Sequence, residues 1–215
     1  MADVLMARVF SHGALCELAQ YSRVPVINGL SDWEHPCQIL SDLFTIIELK
    51  KRLTGLHLCY IGDGENNVTH SLALACGMWG MHFTAACPRG YFLHPSVIRL
   101  AQAFAKKSGG TIIQRIDAKK AIVGADIVYT DTWVSMGDEL EKEKRLHAFH
   151  PYQVTADLME LAKQDAIFMH DLPAYRGNEV TGDVIEGPQS VVFHQAENRL
   201  HVQKALLCYV LGQDL

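Results

Sequence analysis

Four short polar clusters in this sequence hold the residue types that bind and activate small polar molecules. Gly62-Asp63-Gly64-Glu65-Asn66-Asn67 follows a strand-like run and opens a helical one. Glycines there let backbone approach a ligand and leave N–H groups pointing outward, although a glycine turn after a strand is also common without any ligand. Asn67 stands where G-x-G-x-x-G requires its third glycine, so this is not a dinucleotide fingerprint. In Asp131-Thr132-Trp133-Val134-Ser135-Met136-Gly137, a carboxylate at a strand end suits a ligand ammonium, and backbone N–H groups near Gly137 suit a carboxylate. The competing reading of Asp131 is a helix-capping acid in a polar loop. His170-Asp171-Leu172-Pro173 ends a strand with a pair suited to acid–base chemistry, or with a satisfied structural histidine; adjacent strand residues point to opposite sides and need not share a role. His35-Pro36-Cys37-Gln38 starts a helix after Asp32, where His35 and Gln38 can both donate to an oxygen, or where the segment simply caps the helix with Pro36 at its first position. No base is specified for Cys37, which reads as a bystander thiol.

The elements that must position these clusters alternate between strand-like and helical patterns. Strands are expected at 56–61, 81–86, 111–116, 126–130, 166–170 and 190–193, with helices at 68–78, 95–107 and 156–163 between them. Gly109-Gly110 and Gly124 punctuate where helices stop. Such alternation predicts an α/β fold, a doubly wound parallel sheet with helices on both faces, in which ligands bind beyond the carboxyl ends of the strands. The first 54 residues differ: two apolar strands, 4–9 and 24–27, flank one helical piece and lead into a long helix over 35–51. Two strands do not make an independent sheet, so the apolar start requires cover from the last helix, 196–211, or from another chain.

With 215 residues, 49% of them hydrophobic, the chain is long enough for one sizeable core or one domain plus part of another. A formal charge of -5 supplies no field for nucleic acid or an anionic membrane surface, so small molecules or proteins are the expected partners. Six scattered cysteines, Cys16, Cys37, Cys59, Cys76, Cys87 and Cys208, form no C-x-x-C pair and no zinc-type spacing, which suits reduced thiols in a cytoplasm. No run is apolar and long enough to span a bilayer, and the start carries no leader pattern; the expectation is a soluble, unprocessed, cytoplasmic protein.

Taken in order, the clusters resemble the ornithine carbamoyltransferases over essentially the whole chain. The family's H-P-x-Q stands at His35 to Gln38, its G-D-G-N-N at Gly62 to Asn67 with Glu65 extra, and its D-x-x-x-S-M-G at Asp131 to Gly137. Its H-C-L-P stands altered at His170 to Pro173, and its late Asn-Arg at Asn198-Arg199. The resemblance implies a Rossmann-like ornithine-binding domain at 35–193, a remnant of the carbamoyl-phosphate domain at 1–34 and a C-terminal helix at 194–215. It also implies that Asn67, Asp131, Ser135 and Met136 hold the α-amino and α-carboxyl groups of an ornithine-like amino acid. His35 and Gln38 would contact the carbamoyl group, with Leu172 and Arg199 completing the carbamoyl phosphate side. In the implied reaction a deprotonated side-chain amine attacks the carbamoyl carbon while N–H groups and cations stabilise the oxyanion and the leaving phosphate. Neither a metal nor an organic cofactor is implied.

Two departures stand against the match. The family's Ser-x-Arg-Thr phosphate loop is not in this sequence, so carbamoyl transfer is expected only if a partner chain or a longer natural chain supplies it; homo-oligomers and complementing chains are both expected partners. Asp171 replaces the family's cysteine, where an ionised carboxylate repels phosphate by about 4 kcal/mol at roughly 4 Å and attracts a cation. Asp171 is therefore expected among the catalytic residues with His35, Gln38 and Arg199, as a base or as the mark of a different ligand. The alternatives to carbamoyl transfer are a silent amino-acid-binding or regulatory homologue and an enzyme with a changed reaction.

Overall fold

A computed structural model describes residues 2–135, 137 and 139–213. The chain begins with strand β1 (Leu5–Arg8), helix α1 (His12–Tyr21) and strand β2 (Val26–Leu30), followed by the long helix α2 (Pro36–Lys50). Strands β3 (His57–Ile61), β4 (His82–Ala86), β5 (Thr111–Arg115), β6 (Ile127–Tyr129) and β7 (Ile167–Met169) then form one parallel sheet in the order β5-β4-β3-β6-β7. Helices α3 (Asn67–Met78), α4 (Pro95–Ser108), α5 (Ala118–Ile122), α6 (Lys142–Phe149), α7 (Ala156–Met159), α8 (Gly182–Ile185) and α9 (Val192–Val210) complete the chain.

The central strands are apolar on both sides because both sides are covered. Leu58 and Tyr60 join Phe83, Tyr129 and Met169 in a core under α2, α3 and α4, whereas Cys59 and Ile61 join Val128 and Phe168 in a second core under α5, α7 and α8. This is the period-two alternation of a strand buried on both faces, and it is the doubly wound architecture expected from the sequence. Helix boundaries follow local chemistry. Pro36 and Pro95 occupy first-turn positions, Asn66 Oδ1 accepts from the Thr69 N–H at 2.7 Å, and Gly109, at φ 89°, closes α4 in the left-handed conformation.

Four expectations are corrected. The run 190–193 is no strand: Ser190 makes only an isolated bridge to Phe168, and Val192 already begins α9, four residues before its expected start. The helix expected over 156–163 stops at Met159 and continues as turns. β2 runs on to Leu30, because its N–H and C=O groups pair in parallel with β1. The last helix does not cover the apolar start; it packs along α2, while Met6 on β1 remains 66% exposed.

A buried carboxylate joins the elements that flank the site. Asp42 on α2 accepts from Gln38 Nε2 at 2.9 Å and Gln195 Nε2 at 2.7 Å through Oδ1, and from the Tyr129 hydroxyl at 2.9 Å through Oδ2. Gln195 on α9 also accepts the His170 N–H at 3.0 Å, so α2, β6, α9 and the end of β7 meet at one group. Burial pushes the Asp42 carboxyl up from 3.8 to about 6. Its native form therefore holds a proton that the unfolded chain has already released, and its contribution to stability is full below about pH 4 and lost as pH rises through about 6. Asp42→Asn, which turns a donor toward a ring of donors, should lower the free energy of unfolding at pH 7 by about 1–3 kcal/mol. The gap between wild type and Asp42→Asn in urea unfolding should also narrow as pH rises from about 4 to 6. Close packing of α3 on α4 gives a second expectation. A Cβ on Gly77 would lie 2.5 Å from the Ala101 carbonyl oxygen, so Gly77→Ala should cost about 1–3 kcal/mol in the same measurement.

Candidate functional site

Sheet order dictates where a ligand can sit. β3 sends its crossover through α3 to β4 and β5 on one side, and the chain then returns to β6 on the other, so a crevice opens beyond the carboxyl ends of β3 and β6. The β3 end continues as Gly62 to Asn66, the β6 end as Thr130 to Ser135, and the neighbouring β7 end as His170 to Pro173. Thr130 Oγ1 donates to the Ile61 carbonyl at 2.6 Å and holds the first two ends together. Gly64 is required in this turn, since a Cβ would stand 2.6 Å from the Tyr91 carbonyl oxygen and 2.9 Å from the Leu93 nitrogen.

These ends line one cleft of about 500 Å³ together with Arg8 of β1 and His35 at the start of α2. Of the residues singled out from sequence, Asn67, Asp131, Ser135, Asp171, Leu172, His35 and Arg199 line it. Gln38 does not: it is fully buried behind His35, with Nε2 committed to Asp42 and Oε1 without a partner. Met136 lies outside the described residues.

Asp131 is held from two directions. Its Oδ1 accepts the Thr132 N–H at 2.6 Å, and its Oδ2 accepts from Asn66 Nδ2 at 2.9 Å. Asn66 thus caps α3 with its oxygen and orients Asp131 with its nitrogen, also reaching the Tyr60 hydroxyl at 3.2 Å. Asn67 donates instead to the Ser31 carbonyl at 2.6 Å and ties the cleft to the β2 end. Asp63 pairs with Arg145 in a buried ion pair that also lines the cleft, with Arg145 Nε donating to the Trp133 carbonyl at 2.7 Å. The sequence placed Asp63 and Asn66 in the glycine-rich cluster without a role for either, and nothing in it singled out Arg145. Asn66 was legible as the cap three residues before Thr69, whereas Arg145 arrives from α6 by tertiary packing alone.

His35 is 4% exposed, and its Nδ1 has no partner. Burial, with Arg199 and Arg8 nearby, pushes its pKa down to about 4, so the ring is neutral at pH 7 and can donate or accept one hydrogen bond toward a ligand. The backbone N–H of His35 donates to Ser71 Oγ at 2.9 Å, which fixes where α2 begins. His170 faces away from acid–base work. Its Nδ1 accepts the Leu172 N–H at 2.9 Å, and its Nε2 lies 3.3 Å from Glu179 Oε1, so the proton sits on Nε2 and both nitrogens are committed. Asp131, His170 and Asp171 bring ligand-type atoms within 4.8 Å of one another, yet with the imidazole committed only carboxyl oxygens remain to offer.

Asp171 Oδ1 is buried with no hydrogen-bond partner and lies 3.5 Å from His170 Nδ1. Burial first, then the Asp131 charge, raises its pKa well above the usual carboxylate range, while burial raises Asp131. Both carboxyls at the ends of β6 and β7 are thus pushed toward the protonated form, against the fixed negative charge expected at Asp171.

Two family profiles match the chain: "Aspartate/ornithine carbamoyltransferase, Asp/Orn binding domain" over residues 54–210, and the carbamoyl-P binding domain of the same family over residues 1–48. Ornithine carbamoyltransferase of Anoxybacillus flavithermus is 52% identical over 209 residues, and that of Thermococcus kodakarensis 53% over 210. These matches take in 97% and 98% of this chain and 66% of each relative, so the chain spans about two thirds of their length. The solved ornithine carbamoyltransferase of Pyrococcus furiosus superposes with a TM-score of 0.95 at 50% identity, covering 100% of this chain and 68% of its own. That of Giardia lamblia gives 0.92 at 37%, covering 100% and 72%. With both profiles matched in register and the same fold at this identity, the chain belongs to the aspartate/ornithine carbamoyltransferase family.

Proposed function

We propose that this chain binds an ornithine-like amino acid in the cleft at the β3/β6 switch point and serves carbamoyl transfer to its side-chain amine. The observation that carries this reading is the convergence of Asn67, Asp131 and Ser135 with His35, Leu172 and Arg199 around one cavity of a size suited to a small molecule. Asp131 takes the α-ammonium, and Asn67, Ser135 and Met136 take the α-carboxylate side. His35, Leu172 and Arg199 serve the carbamoyl phosphate side. In this division residues 1–34 contribute to the carbamoyl phosphate side, 35–193 hold the amino acid and add His35 and Leu172 to that side, and 194–215 buttress α2 and bring in Arg199.

A neutral His35 is a suitable donor to a carbamoyl oxygen, since it stabilises developing negative charge without first being paired away. Arg8 and Arg199 bring positive charge to the same cleft. Two guanidinium groups supply part of what a phosphate dianion needs. Full affinity for carbamoyl phosphate requires further cations or N–H groups from the phosphate loop of a complementing chain or a longer natural chain. No helix among the described residues is long and apolar enough to cross a membrane, which fits work on polar metabolites in water.

Calorimetry with L-ornithine tests the amino-acid half of the reading. Asp131→Ala should weaken binding by about 1.5–3 kcal/mol through the loss of a charge-assisted hydrogen bond, and unchanged affinity would show that the binding mode is different. A citrulline assay tests the other half: this chain alone should turn over far more slowly than about 1 per second, and Asp171→Cys should not restore the rate. Turnover by the unaided chain at about 1 to 1,000 per second would mean that its own residues complete the phosphate site.

A further inference from the structure

Arg145 lines the cleft, yet it enters from α6, which follows the loop that carries Asp131 and Ser135. It is 4% exposed, and two arms of its planar fork meet partners on different elements. Nε donates to the Trp133 carbonyl at 2.7 Å, in the middle of the loop after β6, and Nη2 donates to Asp63 Oδ2 in the turn after β3. Asp63 is itself fixed to that turn. Its Oδ1 accepts the Glu65 N–H at 2.9 Å, and its backbone carbonyl accepts from Thr69 Oγ1 on α3 at 2.7 Å.

Aromatic rings hold the same group. The guanidinium carbon lies 5.1 Å from the Tyr91 ring centre and 5.4 Å from that of Phe149, within reach of cation–π attraction. Phe149 stands one turn after Arg145 on α6, and the Trp133 ring stacks on it at 6.0 Å and 21°. Trp133 is thus held by α6 twice, through its carbonyl and through its ring. The Tyr91 carbonyl accepts the Gly64 N–H at 2.9 Å, so this ring too belongs to the β3 side of the crevice. A neutral donor would hold the Trp133 carbonyl at less desolvation cost. A buried cation must keep its carboxylate, and that requirement fixes the turn and the loop at one separation.

We propose that Arg145, clamped to Asp63, is a positioning residue for the amino-acid substrate: it sets the spacing between the β3 turn and the β6 loop, and so places Ser135 and its neighbours against the α-carboxylate while Asp131 takes the α-ammonium. This role rests on the amino-acid reading of the cleft. Lysine in place of Arg145 keeps a charge beside Asp63 but offers a point charge instead of a fixed fork, and gives up the hold on the Trp133 carbonyl.

Calorimetry with L-ornithine on the whole chain tests this role. Arg145→Lys should raise the Kd of L-ornithine about tenfold. Gly77→Ala, which disturbs packing in the last turn of α3 and is not among the residues that line the cleft, should leave that Kd unchanged, so lost stability alone does not reproduce the effect. Asp63→Asn should also weaken binding, whereas a guanidinium that itself met the α-carboxylate would bind L-ornithine more tightly once released from Asp63. Asp63→Asn combined with Arg145→Met leaves no charge unpaired, and it decides the matter if a single variant fails to fold. The double variant should bind L-ornithine about tenfold more weakly than wild type and no more weakly than the worse single variant, because all three break one link. Wild-type affinity in Arg145→Lys or in the double variant, an equal loss in Gly77→Ala, or tighter binding by Asp63→Asn overturns the role of Arg145 and leaves the amino-acid reading standing. If the wild-type chain does not bind L-ornithine, the amino-acid reading falls and the role of Arg145 falls with it.

Discussion

One buried carboxylate, Asp42, sets the relative placement of nearly everything around the cleft. It sits in the interior with three neutral donors aimed at it, from α2, β6 and α9. A carboxylate in such a position is costly unless every lone pair is met, so the three elements are held at the spacing that meets them. Through Gln195 the constraint extends to the His170 N–H, and from there to the loop that carries Asp171 and Leu172. Through Gln38 it extends to the first turn of α2, where His35 enters the cleft. The amide of Gln38 can therefore point only its oxygen away from Asp42.

A second set of contacts keeps the strand ends open as a site rather than letting them collapse. Asn66 serves α3 and Asp131 at once, Thr130 ties β6 to β3, and the buried Asp63–Arg145 pair fills the wall beside them. Asn66, Asp131 and Arg145 are thus each oriented by a neighbour, which is what preorganised recognition of a charged ligand requires. Leu172 adds to this: its backbone occupies a left-handed conformation, φ 61°, that a residue with a branched side chain rarely adopts without surrounding support.

The substitution at position 171 changes the electrostatics of the site more than its shape. A thiol beside Asp131 would leave one buried carboxyl at these strand ends; an aspartate makes two, whose burial and proximity disfavour ionising both. Both carboxyls are consequently pushed toward the neutral form, so the cleft is less negative than the formal count of its acids suggests.

The sequence by itself determined the parallel α/β architecture, the order of the strands along the chain and the loops that carry the chemistry. Buried strands read as apolar runs between glycine turns, and Pro36, Asn66 and Gly109 mark helix ends through local backbone chemistry. Its failures have equally local causes. The apolar run 190–193 matches the composition of a strand and of the first turn of a buried helix alike, and only packing of α9 along α2 decides between them. What tertiary structure alone decided is which polar groups meet. Asp131 and Asp171 are 40 positions apart, Asp63 and Arg145 82, and Asp42 and Gln195 153. Contacts at such separation follow from the strand order β5-β4-β3-β6-β7 and from helix packing, neither of which leaves a periodic trace in the chain, because a hydrogen bond or an ion pair depends on distance in space and not on spacing in sequence.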